Sequence, residues 1–180
     1  MERSNLDELI AKQAIVEVVL RYCRAMDRMD RELALSCWHP GGTDDHSPGF
    51  KGTAEGFIDW VWPIHGAMLW TQHTANNTLI ALADDKGGVE SYCTIILRSR
   101  RQDKVYDLVT AGRYLDRFEL RNGRWAITHR QCVSEWHRVD PVTAKISDFR
   151  DPPFIAAIPV GEKPLRAARD RSDLSYLLLL

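Results

Sequence analysis

Proton chemistry in this sequence falls most naturally to an aspartate and a histidine that stand far apart in the chain. Asp27 closes the segment Arg21-Tyr22-Cys23-Arg24-Ala25-Met26-Asp27, and His73 lies in Thr71-Gln72-His73-Thr74-Ala75-Asn76-Asn77, a polar cluster where a half-buried strand would normally carry Val or Ile. A carboxylate that holds one imidazole nitrogen fixes the tautomer and stabilises the charged ring when the other nitrogen takes a proton. Together the two side chains would form a general base. Singly they have plainer readings, Asp27 as a helix-end carboxylate beside an arginine and His73 as a rim residue of a strand. Tyr22 supplies a phenol for a leaving oxygen or a developing enolate, or else a core ring with its hydroxyl at a rim. At about 100° per residue, Tyr22 lies about 140° around an ideal helix from Asp27. Both then reach one cavity only if it is wide or the helix loosens before Asp27.

Several other residues are candidates for contact with a ligand. Arg130 would suit a substrate anion or an oxyanion. Strict alternation, however, puts Arg130 on the side opposite Trp125 and Ile127, so a pocket role needs a bulge. Without one, His129 is the residue that points inward. Asn77, Tyr114, Trp62 and Trp70 complete the set, and the cluster of Phe57, Trp60, Trp62 and Trp70 either fills a core or roofs an apolar pocket. Asp44-Asp45-His46 lacks a spaced third ligand and sits in a Gly/Pro-rich stretch, so no metal is expected. No GxGxxG or Walker loop is present, and no cofactor is expected.

The elements that must position these groups follow from periodicity. A helix is predicted from Asn5 to about Met29, with charges stacked at Glu17, Arg21, Arg24 and Arg28 and a core face of Ile15, Val18, Val19, Tyr22 and Met26. Asp30 caps a short second helix, Arg31 to Cys37. Pro40 and Gly41-Gly42 then open a loop that runs through Asp44-Asp45-His46-Ser47-Pro48-Gly49. A third helix starts at Thr53 and runs towards Trp70, with Pro63 forcing a kink or restart. After Thr71 come long β-type runs divided by Asp84-Asp85-Lys86-Gly87-Gly88, Arg101-Gln102-Asp103-Lys104 and Asn122-Gly123, the last a strong hairpin signal. Tyr106, Leu108, Thr110, Gly112, Tyr114, Phe118 and Leu120 share the core-facing side of one strand. Residues 124–138 form the last strand. Helices followed by antiparallel strands give an α+β domain whose helices cover one face of a curved sheet.

The chain has 180 residues, 44% of them hydrophobic and 27% charged, which suits one globular domain rather than a disordered or low-complexity chain. With 24 Lys+Arg against 25 Asp+Glu, the net charge is −1. That balance removes the long-range attraction expected of a nucleic-acid or anionic-membrane partner. No apolar run approaches the ~20 residues needed to span a bilayer, and Met1-Glu2-Arg3-Ser4-Asn5 carries no signal core, so a cytoplasmic protein is expected. The scattered Cys23, Cys37, Cys93 and Cys132 read as reduced core or wall residues.

The order of elements, the two segments around Asp27 and His73, Gly112-Arg113-Tyr114-Leu115-Asp116 and Gly123-Arg124-Trp125-Ala126-Ile127 resemble the SnoaL-like branch of the nuclear transport factor 2-like superfamily. The resemblance covers about residues 5–138 and implies a cone of three N-terminal helices packed on a curved, mainly antiparallel sheet. Residues 139–180 would be a C-terminal extension or arm. Dehydratases and dehydrochlorinases of this branch imply a cofactor-independent lyase acting on a hydrophobic cyclic molecule, with His73 as base and Asp27 as its orienting partner. Tyr22 matches a tyrosine of bile-acid dehydratases, and Arg130 an arginine of the dehydrochlorinase pocket. The fold also hosts ketosteroid-type isomerases and non-catalytic subunits, such as those of ring-hydroxylating dioxygenases, or ligand-binding modules. A homo-oligomer is expected, a trimer by resemblance, because the outer face of an open sheet needs cover and the arm can embrace a neighbour. Within the arm, Pro152-Pro153-Phe154-Ile155 either lies over the cone's mouth, with Phe154 touching the ligand, or packs on the sheet.

Overall fold

The structure is a computed structural model that describes residues 4–143 and 167–178. Helix α1 (Asn5–Arg28) begins at Ser4, whose side chain accepts a hydrogen bond from the Asp7 amide. It ends at Met29, which takes a left-handed conformation with φ 52°. The predicted stripe of Ile15, Val18, Val19, Tyr22 and Met26 is buried along its whole length. Asp30 caps α2 (Arg31–Leu35) through the Leu33 amide, and Thr53 caps α3 (Ala54–Gly66) through the Gly56 amide. Both helices end earlier than their sequence patterns suggest. Helix α3 contains Pro63 and stops at Gly66, which leaves Trp70 to open a strand.

Six strands form one sheet: β1 (Trp38–His46), β2 (Phe50–Thr53), β3 (Trp70–Ala83), β4 (Lys86–Arg101), β5 (Lys104–Arg121) and β6 (Arg124–Pro141). Their order is β2-β1-β6-β5-β4-β3, and every neighbour pairs antiparallel except β1 with β6. The expected turns all occur, with Asp84, Gln102, Asn122 and Gly123 at positive φ. The stretch expected as a loop from Pro40 to Gly49 is instead mostly strand. Pro40, Gly41 and Gly42 sit where the β1–β6 ladder is interrupted between Trp38 and Thr43, and Gly41 takes φ 77° there, so breaker residues and a strand coexist.

Strand β6 carries two extra residues relative to β5, Thr128 and Glu135, at the register shifts beside Arg117/Phe118 and Ala111/Gly112. Each bulge resets which side chains face the helices. At the second, a Cβ on Gly112 would stand 2.2 Å from the Val133 carbonyl oxygen, so only glycine fits. The core lies between α1, α3 and the concave sheet face, where Ile15, Val19 and Phe57 meet Tyr114, Phe118 and Ile127. Residues 167–178, including α4 (Ser175–Leu178), dock on the same chain: Arg24 donates to Ser175 Oγ and the Tyr176 hydroxyl donates to Asp30. Phe154 and its neighbours lie outside the described residues. No helix among the described residues is long and apolar enough to cross a membrane.

Candidate active site

The end of α1 and the start of β3 bring Asp27 and His73 together. Asp27 Oδ1 lies 2.7 Å from His73 Nδ1, and Oδ2 accepts the His73 backbone amide at 2.9 Å. The Thr71 hydroxyl donates to Oδ1 at 3.0 Å. One β-strand terminus therefore both supplies the imidazole and fixes the carboxylate that orients it. An ionised carboxylate only accepts, so the pair places the imidazole proton on Nδ1 and leaves Nε2 as the basic nitrogen. The side chains are 4% (His73) and 14% (Asp27) exposed, which keeps the interaction largely shielded from water.

His73 opens onto a cavity of about 200 Å³ lined largely by Met26, Phe57, Val61, Ile64, Ile95 and Leu97, with Trp60 at its side. Tyr22 and Tyr114 also line it. The 140° offset of Tyr22 from Asp27 is bridged because the site wraps around the end of α1: the Tyr22 ring lies 6.5 Å from the His73 ring and 5.6 Å, edge-on, from Tyr114. Burial pushes both phenols well above their usual range, so they are present as neutral hydroxyls.

Arg130 does face inward, because the bulge at Thr128 shifts the alternation set by Trp125 and Ile127. It stops short of the cavity wall. Its guanidinium is fully buried in a bidentate pair with Asp116, at 2.8 and 2.7 Å, and its carbon lies 4.2 and 4.1 Å from the Tyr22 and Tyr114 ring centroids. The arginine thus forms a charged layer behind the two tyrosines. His129 hydrogen-bonds Thr43 rather than entering the cavity. Asn77 is exposed, at the register shift of β3 between Ala75 and Thr78. Trp62 packs against the core from its edge, and Trp70 lies under the Arg98 guanidinium; neither lines the cavity.

Two histidines that the sequence reading did not single out as site residues complete the lining, His46 and His65. His46 Nδ1 is hydrogen-bonded to Asp44 Oδ1, and its ring stacks on Phe57 at 4.4 Å. The signal was the Asp44-x-His46 spacing, which shares a face only in a strand. His65 follows Phe57 and Val61 at helical spacing, and its ring lies 5.3 Å from that of His73. Burial, with His73 and Arg169 nearby, pushes the His65 imidazole down to about 3, so it is neutral at pH 7. Among the described residues no three His, Cys, Asp or Glu groups are placed to hold a metal ion. The four cysteines are free, and burial pushes Cys23, Cys37 and Cys132 up to about 12, which keeps them as thiols.

Three solved structures illustrate the likeness of the fold. A proposed scytalone dehydratase from Novosphingobium aromaticivorans is 19% identical with a TM-score of 0.67, over 87% of this chain and 97% of that one. The hexachlorocyclohexane dehydrochlorinase LinA-type3 from Novosphingobium barchaimii is 16% identical with a TM-score of 0.67, over 79% and 97%. A proposed aromatic ring hydroxylase from Novosphingobium aromaticivorans is 14% identical with a TM-score of 0.65, over 78% and 96%. At these identities the likeness establishes the fold. No curated protein is similar enough in sequence to match the chain. Residues 7–131 match the SnoaL-like domain, and with its helices packed on a curved six-stranded sheet the chain belongs to that family, within the nuclear transport factor 2-like superfamily.

Proposed function

We propose that the protein is a cofactor-independent lyase that removes a proton and a leaving group from a hydrophobic, cyclic small molecule. The observation that carries this reading is the Asp27–His73 pair opening onto an apolar cavity. In this reading Nε2 of His73 takes a proton from carbon next to an electron-withdrawing group, Asp27 stabilises the imidazolium, and the Tyr22 hydroxyl donates to the leaving oxygen or to an enolate. A cavity of about 200 Å³ is small beside the ~300–1,000 Å³ of drug-sized sites, which favours a compact ring. Relatives in fold named as a dehydratase and a dehydrochlorinase add support, since both names describe eliminations.

The test is to purify His73→Ala from its native host, identify the retained ligand by mass spectrometry, and incubate that ligand with the wild type. Loss of water or hydrogen halide supports the lyase. A product of unchanged mass replaces it with an isomerase that returns the proton elsewhere, and no change in the ligand leaves a binding module. The same reading includes a homo-oligomer, for which Leu79, Tyr92, Trp136 and Val139, exposed on β3, β4 and β6, offer apolar surface. A monodisperse monomer at micromolar concentration in light scattering would remove that part.

A further inference from the structure

We propose that His46 is a second acid–base residue of this cavity, the proton donor to the leaving group, with Asp44 as its positioning residue. The inference rests on the lyase reading and extends it to the half of the reaction that the Asp27–His73 pair does not cover. Removal of a proton from carbon needs a base, but departure of hydroxide also needs an acid, because a bare hydroxide is a poor leaving group.

The geometry supplies a second oriented imidazole. Strands β1 and β3 are separated in the sheet by β6, β5 and β4. His46 on β1 and His73 on β3 nevertheless line the same cavity. His46 approaches beside Tyr114, at 6.4 Å between rings, and His73 approaches beside Tyr22, at 6.5 Å. The two imidazoles thus stand beside the Tyr22–Tyr114 pair, on the wall of one cavity of about 200 Å³. Each is held at Nδ1 by a carboxylate, which leaves Nε2 as the nitrogen free to exchange a proton with a ligand.

The surroundings of the two carboxylates differ, and that difference divides the roles. Asp27 accepts from the Thr71 hydroxyl and the His73 amide and lies within the field of Arg169. Its charge is supported even when His73 is neutral, the form a base requires. Asp44 is fully buried; its Oδ1 holds His46 and its Oδ2 has no partner. Its neighbour across the ladder is Arg130, whose two-pronged bond goes to Asp116. His46 is thus the hydrogen-bond partner on which the buried Asp44 carboxylate depends, whereas Asp27 shares its two oxygens among three donors.

The step balances within the site. The C–H bond breaks as Nε2 of His73 takes the proton, and the electron pair becomes the new C=C bond. The C–O bond breaks as Nε2 of His46 gives its proton to the oxygen, which leaves as water, and of the two roles open to the Tyr22 hydroxyl this leaves it the enolate. Exchange with solvent then removes the proton from His73 and restores the one on His46.

A pair of probes isolates the donor: β-hydroxycyclohexanone, whose leaving group needs a proton, and β-chlorocyclohexanone, whose chloride does not. Cyclohexenone formation is read by ultraviolet absorbance, and deuterium uptake next to the carbonyl in D₂O reads the base alone. The expected result for His46→Gln is an approximately 10²–10⁴-fold loss of kcat with the hydroxy probe and a change within about threefold with the chloro probe. Asp44→Asn should show the same split, and His73→Ala should lose both reactions. Equal losses on the two probes in His46→Gln and Asp44→Asn, or no loss on either, overturn the inference while His73 dependence and deuterium uptake keep the lyase reading standing. Neither uptake nor elimination in the wild type removes that reading and this inference with it.

Discussion

Replacing Asp27 with asparagine is the most informative single perturbation of the site. The side chain keeps its size and an acceptor oxygen, so the Thr71 hydroxyl or the His73 amide can still be satisfied and the α1–β3 junction should fold. Two things change at the imidazole. First, the charge is lost. With His73 Nδ1 at 2.7 Å from Asp27 Oδ1, the centres of the two charged groups lie about 4 Å apart, an attraction of about 4 kcal/mol at an effective dielectric near 20. Since 1.36 kcal/mol is tenfold in rate, that approaches a thousandfold. Water reaching the 14% of Asp27 that is exposed lowers the figure to about 10²–10³, the lower part of what positioned acid–base groups contribute. Second, the amide NH₂ can donate to Nδ1, which would move the ring proton to Nε2 and turn the basic nitrogen away from the cavity; a tautomer error of this kind costs on the order of 10⁴ by itself. The assay is elimination from β-chlorocyclohexanone, with circular dichroism to confirm the fold. His73→Ala should fall at least as far, and the double variant no further than the worse single one, because groups that act as a unit are not additive. Turnover within about threefold of wild type in folded Asp27→Asn would refute the reasoning and make Asp27 a helix-end carboxylate.

The remaining predictions concern what holds the cavity together. Asp116→Ala strands the Arg130 guanidinium at zero exposure, and urea denaturation should show a loss of about 3–5 kcal/mol; a loss within experimental error would show that Arg130 needs no countercharge. His65 is held neutral in the folded chain down to about pH 3 but titrates near 6.5 when unfolded, so the unfolded chain binds the extra proton and stability is lost as pH falls below 6.5. Between pH 6.5 and 5 the wild type should lose up to about 2 kcal/mol relative to His65→Phe in parallel denaturation curves, and parallel pH profiles would contradict the burial of a neutral imidazole. Arg169 donates to the backbone carbonyls of His65 and Met68 at the end of α3, so Arg169→Ala should lower stability by about 1–3 kcal/mol, as expected for hydrogen bonds to a charged group. An unchanged thermal midpoint would mean that the described tail segment merely rests on the domain.

The helices were readable because their signals are local. The cap at Ser4, the stripe from Ile15 to Met26 and the caps at Asp30 and Thr53 each depend on residues within a turn or two of one another. The Asp27–His73 pair was readable for another reason: His73 stands where a strand wants Val or Ile, and the resemblance joins it to Asp27, which by itself reads as an ordinary helix-end carboxylate. Strand β1 was not readable, since Pro40, Gly41 and Gly42 are breakers in any local reading and the strand exists through its parallel partner, β6. With β1 read as a loop, Asp44 and His46 lost the shared face that makes them a pair.

Arg130 shows how one inserted residue decides a site's electrostatics. In strict alternation it would face outward with His129 in its place. The extra residue Thr128 turns it inward, onto Asp116 of β5 and against the rings of Tyr22 and Tyr114. Once there, its two-pronged bond goes to Asp116, and the buried Asp44 next to it in the ladder is hydrogen-bonded to His46. Asp27, at the rim, instead shares its oxygens with the Thr71 hydroxyl and the His73 amide as well as the ring. On the proposed reading, two aspartate–histidine pairs of the same composition take different tasks because their neighbours differ, one receiving a proton and one giving it.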